Sequence, residues 1–292
     1  MQSENAAEKL LKQDDIATSL IVDSLMGFRR RKLSGFDLPN TTEEEENIIK
    51  EILASVKSER DFARAVSQLL ECEWTKEVTA RMELDKEEKK ELESHLEKYL
   101  WGLTDAREFA LVKTTRYEME GFEGAKILAK RLVKKGEKME TLLGKTAPIS
   151  LEQEKRLGER GVDTSCIIKS PKSLFIVNGP VCCVNHDCRP NCKFYRHPSG
   201  DIRFEAKRKI QPDEELTIDY GAGYFGRNQK NCQCQTCESE KSGAYRKRIR
   251  GERRDRDLWT PEEETKIVNV SLPVFLSTFI FNILLSISSS TS

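Results

Sequence analysis

Asn185-His186-Asp187-Cys188-Arg189-Pro190-Asn191-Cys192 is the stretch on which the reading of this chain turns. Eight polar or small residues follow an apolar run, Pro180-Val181-Cys182-Cys183-Val184, as in a loop that leaves a core and displays binding groups. A His beside an Asp is also an ordinary structural pair, so the octapeptide alone decides nothing. Two later stretches give it weight. Glu215-Leu216-Thr217-Ile218-Asp219-Tyr220 ends a strand-like run in a tyrosine, before a glycine-rich, aromatic turn (Gly221, Gly223, Tyr224, Phe225, Gly226). Cys232-Gln233-Cys234-Gln235-Thr236-Cys237 then places three thiols close together in polar sequence, which is poor material for a core.

Three thiolates so spaced converge on one point only if something holds them, and tetrahedral zinc with sulfur bonds of ~2.3 Å is the usual answer. By spacing alone, the fourth ligand is open among Cys188, Cys192 and His186. The distribution of thiols agrees with a local site: of nine cysteines only Cys72 precedes Cys166. The opening MQSENAAEKLLKQDD is charged throughout and has no apolar leader, so a disulfide framework is disfavoured and a metal site favoured. Cys182 and Cys183, in their apolar run, read as core residues.

Working toward the N-terminus, the first hundred residues read as helix. Thr42-x-x-Glu45 is a capping-box pattern, followed by Ile48, Ile49, Ile52, Leu53 and Val56 at helical spacing. Further stripes run Phe62, Val66, Leu69, Leu70 and Leu92, Leu96, Tyr99, Leu100, Leu103. Residues 41–100 carry 17 acidic and 10 basic side chains, which read as the solvated faces of these helices. Asp14-Asp15-Ile16-Ala17-Thr18-Ser19-Leu20 begins another short apolar segment that ends near Gly27.

After about residue 115 the pattern becomes short strands: 125–133, 173–177, 193–196, 201–210 and 215–220, punctuated by Pro198-Ser199-Gly200-Asp201 and Gln211-Pro212-Asp213. Residues 193–196 and 201–210 form a hairpin around the first of these turns. The gaps leave little room for crossover helices, which disfavours a doubly wound parallel sheet, and neither G-x-G-x-x-G nor G-x-x-x-x-G-K-[ST] occurs, so a nucleotide-binding fold has no support. At 37% hydrophobic and 34% charged, the 292-residue chain is too apolar to be disordered and too charged for a multi-span membrane protein.

The three stretches together resemble the SET domain of protein lysine methyltransferases: N-H-x-C-x-P-N, then E-L-T-x-D-Y-G, then a cysteine-rich post-SET segment. The resemblance runs from about Tyr117 to Cys237. Longer strings, Asn185 to Phe194, Tyr224-Phe225-Gly226, Gly124-Ala125-Lys126-Ile127 and the N-terminal Asp14 to Leu20, are most similar to enzymes acting on lysine-20 of histone H4. The resemblance implies an α+β architecture: a helical N-terminal domain (1–105) packed on a β-rich SET domain (106–222), a zinc-bound post-SET segment (223–240) and a tail (241–292). It implies that Tyr220 is the active-site tyrosine. Glu123, Gly124, Ala125, Lys126, Asn185, His186, Phe194 and Gln233 would lie against S-adenosyl-L-methionine. Where many SET proteins have glycine-x-glycine, this chain has Gly124-Ala125-Lys126, which leaves the atoms touching the cofactor less defined. Cys188 would join Cys232, Cys234 and Cys237 around one structural Zn2+, with Cys192 a packed thiol. Phe225 would line the channel with Phe194.

The implied activity is methylation of a histone H4 lysine-20 side chain on nucleosomes, in the nucleus and on chromosomes, beyond the first methyl group. A SET-type enzyme for a non-histone protein, or a catalytically silent chromatin-binding module, would share much of the pattern, although intact Asn185, His186 and Tyr220 argue against the silent module. Residues 241–256 carry 8 basic and 2 acidic side chains, suited to nucleosomal DNA phosphates, nuclear import or a solvated tail. The uncharged stretch Ile267–Ile287 is long enough to cross a bilayer, but Pro273 and its Ser and Asn residues weaken that reading; tail anchor, partner-docking strand and appendage stay open.

Overall fold

The computed structural model describes residues 6–29, 32–103, 108–116, 124–159, 166–170, 173–221 and 224–246. Expectations for Tyr117, Glu123, most of the basic segment and the whole of 267–287 lie outside these residues. Among the described residues, no helix is long and apolar enough to cross a membrane.

Helix α1 (Ala6–Ala17) runs into a π-helical turn (Thr18–Asp23) and a single α turn, α2 (Ser24–Met26). Gly27 ends the run with φ 66°, a left-handed stop that glycine adopts without Cβ strain. The hydroxyls of Thr18 and Ser19 both donate to the Asp15 carbonyl, at 3.2 and 2.8 Å, competing with the regular ladder where the helix widens. Thr42 caps α3 (Glu43–Ser55) through the predicted capping box: its hydroxyl accepts the Glu45 N–H and its own N–H reaches the Glu45 carboxylate. Helices α4 (Phe62–Glu71), α5 (Glu73–Arg81) and α6 (Lys86–Leu103) follow. Leu92, Leu96, Tyr99, Leu100 and Leu103 are all buried, as their spacing requires; Ile48 is 45% exposed and sits off the α3 stripe.

Two buried aspartates lock α1 in place. Asp14 Oδ1 accepts the Tyr99 hydroxyl at 2.7 Å and lies 2.9 Å from His95 Nε2, joining α1 to α6. Asp15 accepts the N–H groups of Leu33 and Ser34 at 2.8 and 2.7 Å, and so fixes the segment returning from α2.

The second half is antiparallel except at one point. Strands β1 (Phe109–Thr114) and β2 (Gly124–Ala129) form a pair. Strand β3 (Lys138–Pro148) is the middle of a five-stranded sheet of order β4-β5-β3-β8-β7, with β4 Ile167–Ser170, β5 Ser173–Asn178, β7 Cys192–Arg196 and β8 Ile202–Ala206. Helix α7 (Leu151–Glu159) lies between β3 and β4. The β7–β8 hairpin is the predicted one, but both long strand expectations are trimmed: 125–133 keeps pairing only through Ala129 with an isolated Val133–Ile210 bridge, and 201–210 is a strand only through Ala206. The exception is the two-residue parallel pair β6 (Asn185–His186) and β9 (Thr217–Ile218), which lays the first and second signature stretches side by side.

Strands β1 and β3 and helix α7 carry no alternation strong enough to predict. In β3 a bulge between Met139 and Leu143 breaks the period. Gly144 lies beneath Val177 and Val181, where a Cβ would come within 2.7 and 2.3 Å of their methyls. One apolar cluster contains Ile16, Leu20, Leu96 and Tyr99 from the helices together with Ile127, Leu142, Val177 and Ile218 from the strands. The helical half is therefore packed on the sheets through a shared core, and β6–β9 is set against a rigid support.

Candidate active site

The site is built around the crossing of β6 and β9. After β5, Gly179 turns the chain with φ 133°, where a Cβ would meet the Leu143 carbonyl at 2.9 Å. A short 3-10 turn, Pro180–Cys183, then delivers Val184 and β6. Buried Asn191 closes the loop after β6. Its carboxamide accepts the Thr217 N–H at 2.8 Å and donates to the Glu215 carbonyl at 2.7 Å.

Tyr220 stands where β9 ends. Its hydroxyl donates to the Val184 carbonyl at 2.8 Å, and its N–H donates to His186 Nδ1 at 3.1 Å. A cleft opens beside it, walled by Cys166, Ile168, Val177, Val181, Cys182, Val184, Phe194 and Ile218. Phe194 packs on Phe204 with centroids 5.0 Å apart. Phe225 faces His186 at 5.1 Å and stacks over Tyr220 at 6.4 Å, so aromatic surface bounds Tyr220 on one side and aliphatic surface on the other.

Asn185 spans two strands: its Nδ2 donates to the Ala125 carbonyl and to Glu215 Oε1, each at 3.0 Å. Burial pushes the Glu215 carboxyl above its ordinary range, against the pull of the Asn185 hydrogen bond and of Lys126 and Arg116. With both amide hydrogens engaged, Oδ1 is the polar atom Asn185 offers a ligand beside the start of β2. Gly124, Ala125 and Lys126 form the start of β2, opposite Thr114, Lys113 and Val112. Gln233 contributes its carbonyl to Arg116 Nη1 at 3.5 Å and to the Tyr245 hydroxyl at 3.4 Å, at the edge of this region.

The cysteines converge as their spacing predicts. Cys188 Sγ lies 3.9 Å from Cys232 Sγ and 3.5 Å from Cys237 Sγ. These spacings bracket the roughly 3.8 Å edge of a tetrahedron with ~2.3 Å metal–sulfur bonds. Hydrogen bonds from Cys232, then from the Cys188 and Cys237 N–H groups, outweigh burial and pull the Cys234 thiol down to about 5. Cys192, another candidate ligand by spacing, is buried, packs in the main core, and hydrogen-bonds Asn191 instead. The ligand atoms of His186, Cys188, Cys232 and Cys234 fall within 4.8 Å of one another, with Cys237 Sγ a fifth donor atom against Cys188. His186 is distinguished by its protons. Burial lowers its pKa and keeps it neutral, and Nδ1 accepts from Tyr220, so the ring proton sits on Nε2, 3.4 Å from Cys188 Sγ. A protonated Nε2 donates to a thiolate and has no lone pair for a metal, so four cysteines fit a tetrahedral ion.

Asp187 ties this cluster to β6. Burial opposes its charge, but hydrogen bonds from Thr236 and from the Arg189 N–H hold its carboxyl below the usual range. The Asp187–Thr236 link, the Glu215–Asn185 link and the Arg116–Glu238 ion pair at 2.6 Å escape a sequence reading, since each joins residues far apart in the chain.

The family model for the SET domain matches residues 44–221, more than half of the chain. The chain belongs to the SET-domain family and is a protein-lysine N-methyltransferase. It is 30% identical over 236 residues to the "Histone-lysine N-methyltransferase Suv4-20" of Caenorhabditis elegans, covering 80% of each chain. To the Caenorhabditis briggsae protein of the same name it is 28% identical, across 80% of this chain and 71% of that one. It is 32% identical over 234 residues to the "Histone-lysine N-methyltransferase set9" of Aspergillus oryzae, of which it spans 37%.

Proposed function

We propose that this protein transfers methyl groups from S-adenosyl-L-methionine to lysine-20 of histone H4 in nucleosomes, beyond the first methyl, and so works in the nucleus on chromosomes. The observation that carries the reading is the Tyr220 hydroxyl, fixed on the Val184 carbonyl beside an apolar cleft. The relatives named histone-lysine N-methyltransferases support the substrate class.

S-adenosyl-L-methionine, when bound, supplies an activated methyl group on sulfur. Asn185, His186 and the backbone of Gly124–Lys126 would hold it, with Glu123, Phe194 and Gln233 assigned to the same pocket. What the chain itself must do is present the lysine as a free amine. Lysine ordinarily keeps its proton up to pH ~10.4, and only the neutral amine has the lone pair for attack. Aliphatic and aromatic walls disfavour the ammonium form, and a narrow cleft holds the amine in line. With its proton engaged by Val184, the Tyr220 oxygen presents lone pairs that orient the amine. No carboxylate base is needed.

We assign one structural Zn2+ to Cys188, Cys232, Cys234 and Cys237. It would clamp the 223–240 segment onto the loop after β6, with His186 donating to the Cys188 thiolate. Residues 241–256 would contact nucleosomal DNA, and the working division into domains is 1–105, 106–222, 223–240 and 241–292. The test is labelled-methyl transfer to reconstituted nucleosomes carrying H4 lysine-20 or an arginine in its place. Label confined to the lysine-20 nucleosomes is the expected result; label of equal strength on both rejects the site assignment.

A further inference from the structure

Cys166 and Cys182 meet in the wall of the Tyr220 cleft, one at the entry to β4 and the other in the 3-10 turn that precedes β6. Neither belongs to the metal cluster. Cys166 is buried, while Cys182 is half-buried, and both line the cleft. The sequence placed Cys182 in the core beside Cys183; only Cys183 is fully shielded there. Cys182 Sγ donates to the Val177 carbonyl at 3.1 Å, on β5, the strand that pairs with β4 just after Cys166, and Cys182 packs against the apolar cluster that contains Cys166.

We propose that Cys166 and Cys182 are an oxidisable dithiol, a modification site whose disulfide form closes the cleft to the substrate lysine. The consequence for activity rests on the methyltransferase reading; the bond itself does not. With a hydroperoxide as oxidant, the Cys182 thiolate attacks the peroxide oxygen, the O–O bond breaks and Cys182 becomes a sulfenic acid. The Cys166 thiolate then attacks that sulfur, the S–S bond forms, the S–O bond breaks and water leaves. Two thiols and one hydrogen peroxide thus give one disulfide and two waters.

The geometry gives the bond a reach beyond itself. To form the bond, the two sulfurs must close to about 2.05 Å. That contraction pulls on the turn Pro180–Cys183, and the next residues are Val184, whose carbonyl holds Tyr220, then Asn185 and His186. The hydrogen bond with Cys166 and burial hold the Cys182 thiol well above its usual range, so thiolate is scarce and reaction is slow.

The experiment treats the full chain with graded hydrogen peroxide and follows four readouts: intact mass, peptide mapping without reduction, zinc content and methyl transfer. The expected result is loss of two hydrogens, a Cys166–Cys182 cross-linked peptide and unchanged zinc. Activity falls roughly 100-fold, the scale of an ångström-level misplacement, and a thiol reductant restores it. Cys166→Ala and, separately, Cys182→Ala keep their own untreated rates at the same dose. Inactivation without the cross-link, inactivation of both variants in step with the parent, or a cross-link that leaves the rate unchanged each overturns the proposal. A chain that forms the cross-link but never methylates nucleosomes would instead count against the proposed function.

Discussion

Between α3 and α6, Ile49, Leu69, Leu92, Leu96 and Leu100 are fully shielded from solvent. Between Phe225 and Tyr245 the shielded set is Cys232, Cys234 and Cys237, with Phe225 against them. The first region gains stability from every methylene it buries, spread over four helices and shared with the sheets. The second has no aliphatic interior, and its short elements could not order themselves by burial. The contrast points to a division of labour to be tested: burial should hold the helical half whether or not a metal is bound, while the 225–245 segment should depend on its thiolates. The same segment reaches the candidate site, because His186 connects Cys188 to the Tyr220 backbone within two contacts.

The sharpest way to break this comparison is Cys234→Ser. Zinc content by plasma emission should drop to background and methyl transfer should fall below detection, while the thermal transition of the helical half persists. Retained stoichiometric zinc would dissolve the contrast. Tyr220→Phe cuts the other way: kcat for nucleosomes should fall roughly 100-fold with zinc unchanged, and a full rate would remove the hydroxyl from the site. Leu96→Ala tests the helical core. Denaturant unfolding should show a loss of about 2–5 kcal/mol, the cost of truncating a buried leucine, with zinc stoichiometry intact in the folded protein.

A smaller effect belongs to the surface. Arg131 lies 2.6 Å from Glu137, and that contact is the chief reason the Glu137 carboxyl sits below its ordinary range. A depressed carboxyl stabilises the fold above the unfolded-chain pKa and loses that contribution as pH falls through the lower folded value. Both side chains are partly exposed, so Glu137→Gln should cost under about 1 kcal/mol at neutral pH and nothing in strong acid. A pH series of melts at low and high salt checks both the sign and the screening.

Helices α3, α4 and α6 were legible because their apolar spacing matches the helical period and Thr42 marks the start of α3. The cysteine cluster was legible because three thiols in polar sequence have few other uses. Strands β1 and β3 were not, for they are half-shielded on irregular faces, and β3 owes its place to a bulge and to the close approach at Gly144. The resemblance assigned Phe194 and Phe225 to the cofactor pocket and the lysine channel without naming their protein neighbours, and the structure puts one in the cleft wall and the other against His186 and Tyr220.

The stretches Asn185–Cys192, Glu215–Gly226 and Cys232–Cys237 together pointed to the family and to the residue types of the candidate site, because each proposed role demands a particular functional group: a carboxamide, an imidazole, a thiol. Apart from what the resemblance implied for Cys188 and Cys192, spacing could not determine which donor belonged to which partner. Cys188 and Cys192 are chemically equal in sequence; Asn191 closes the loop on Thr217, and in that fold Cys188 faces the cluster while Cys192 turns into the core. His186 was an equal candidate for metal until the Tyr220 N–H occupied Nδ1. Those decisions required groups distant in the chain to come within hydrogen-bond range, and only the packed tertiary structure supplies that.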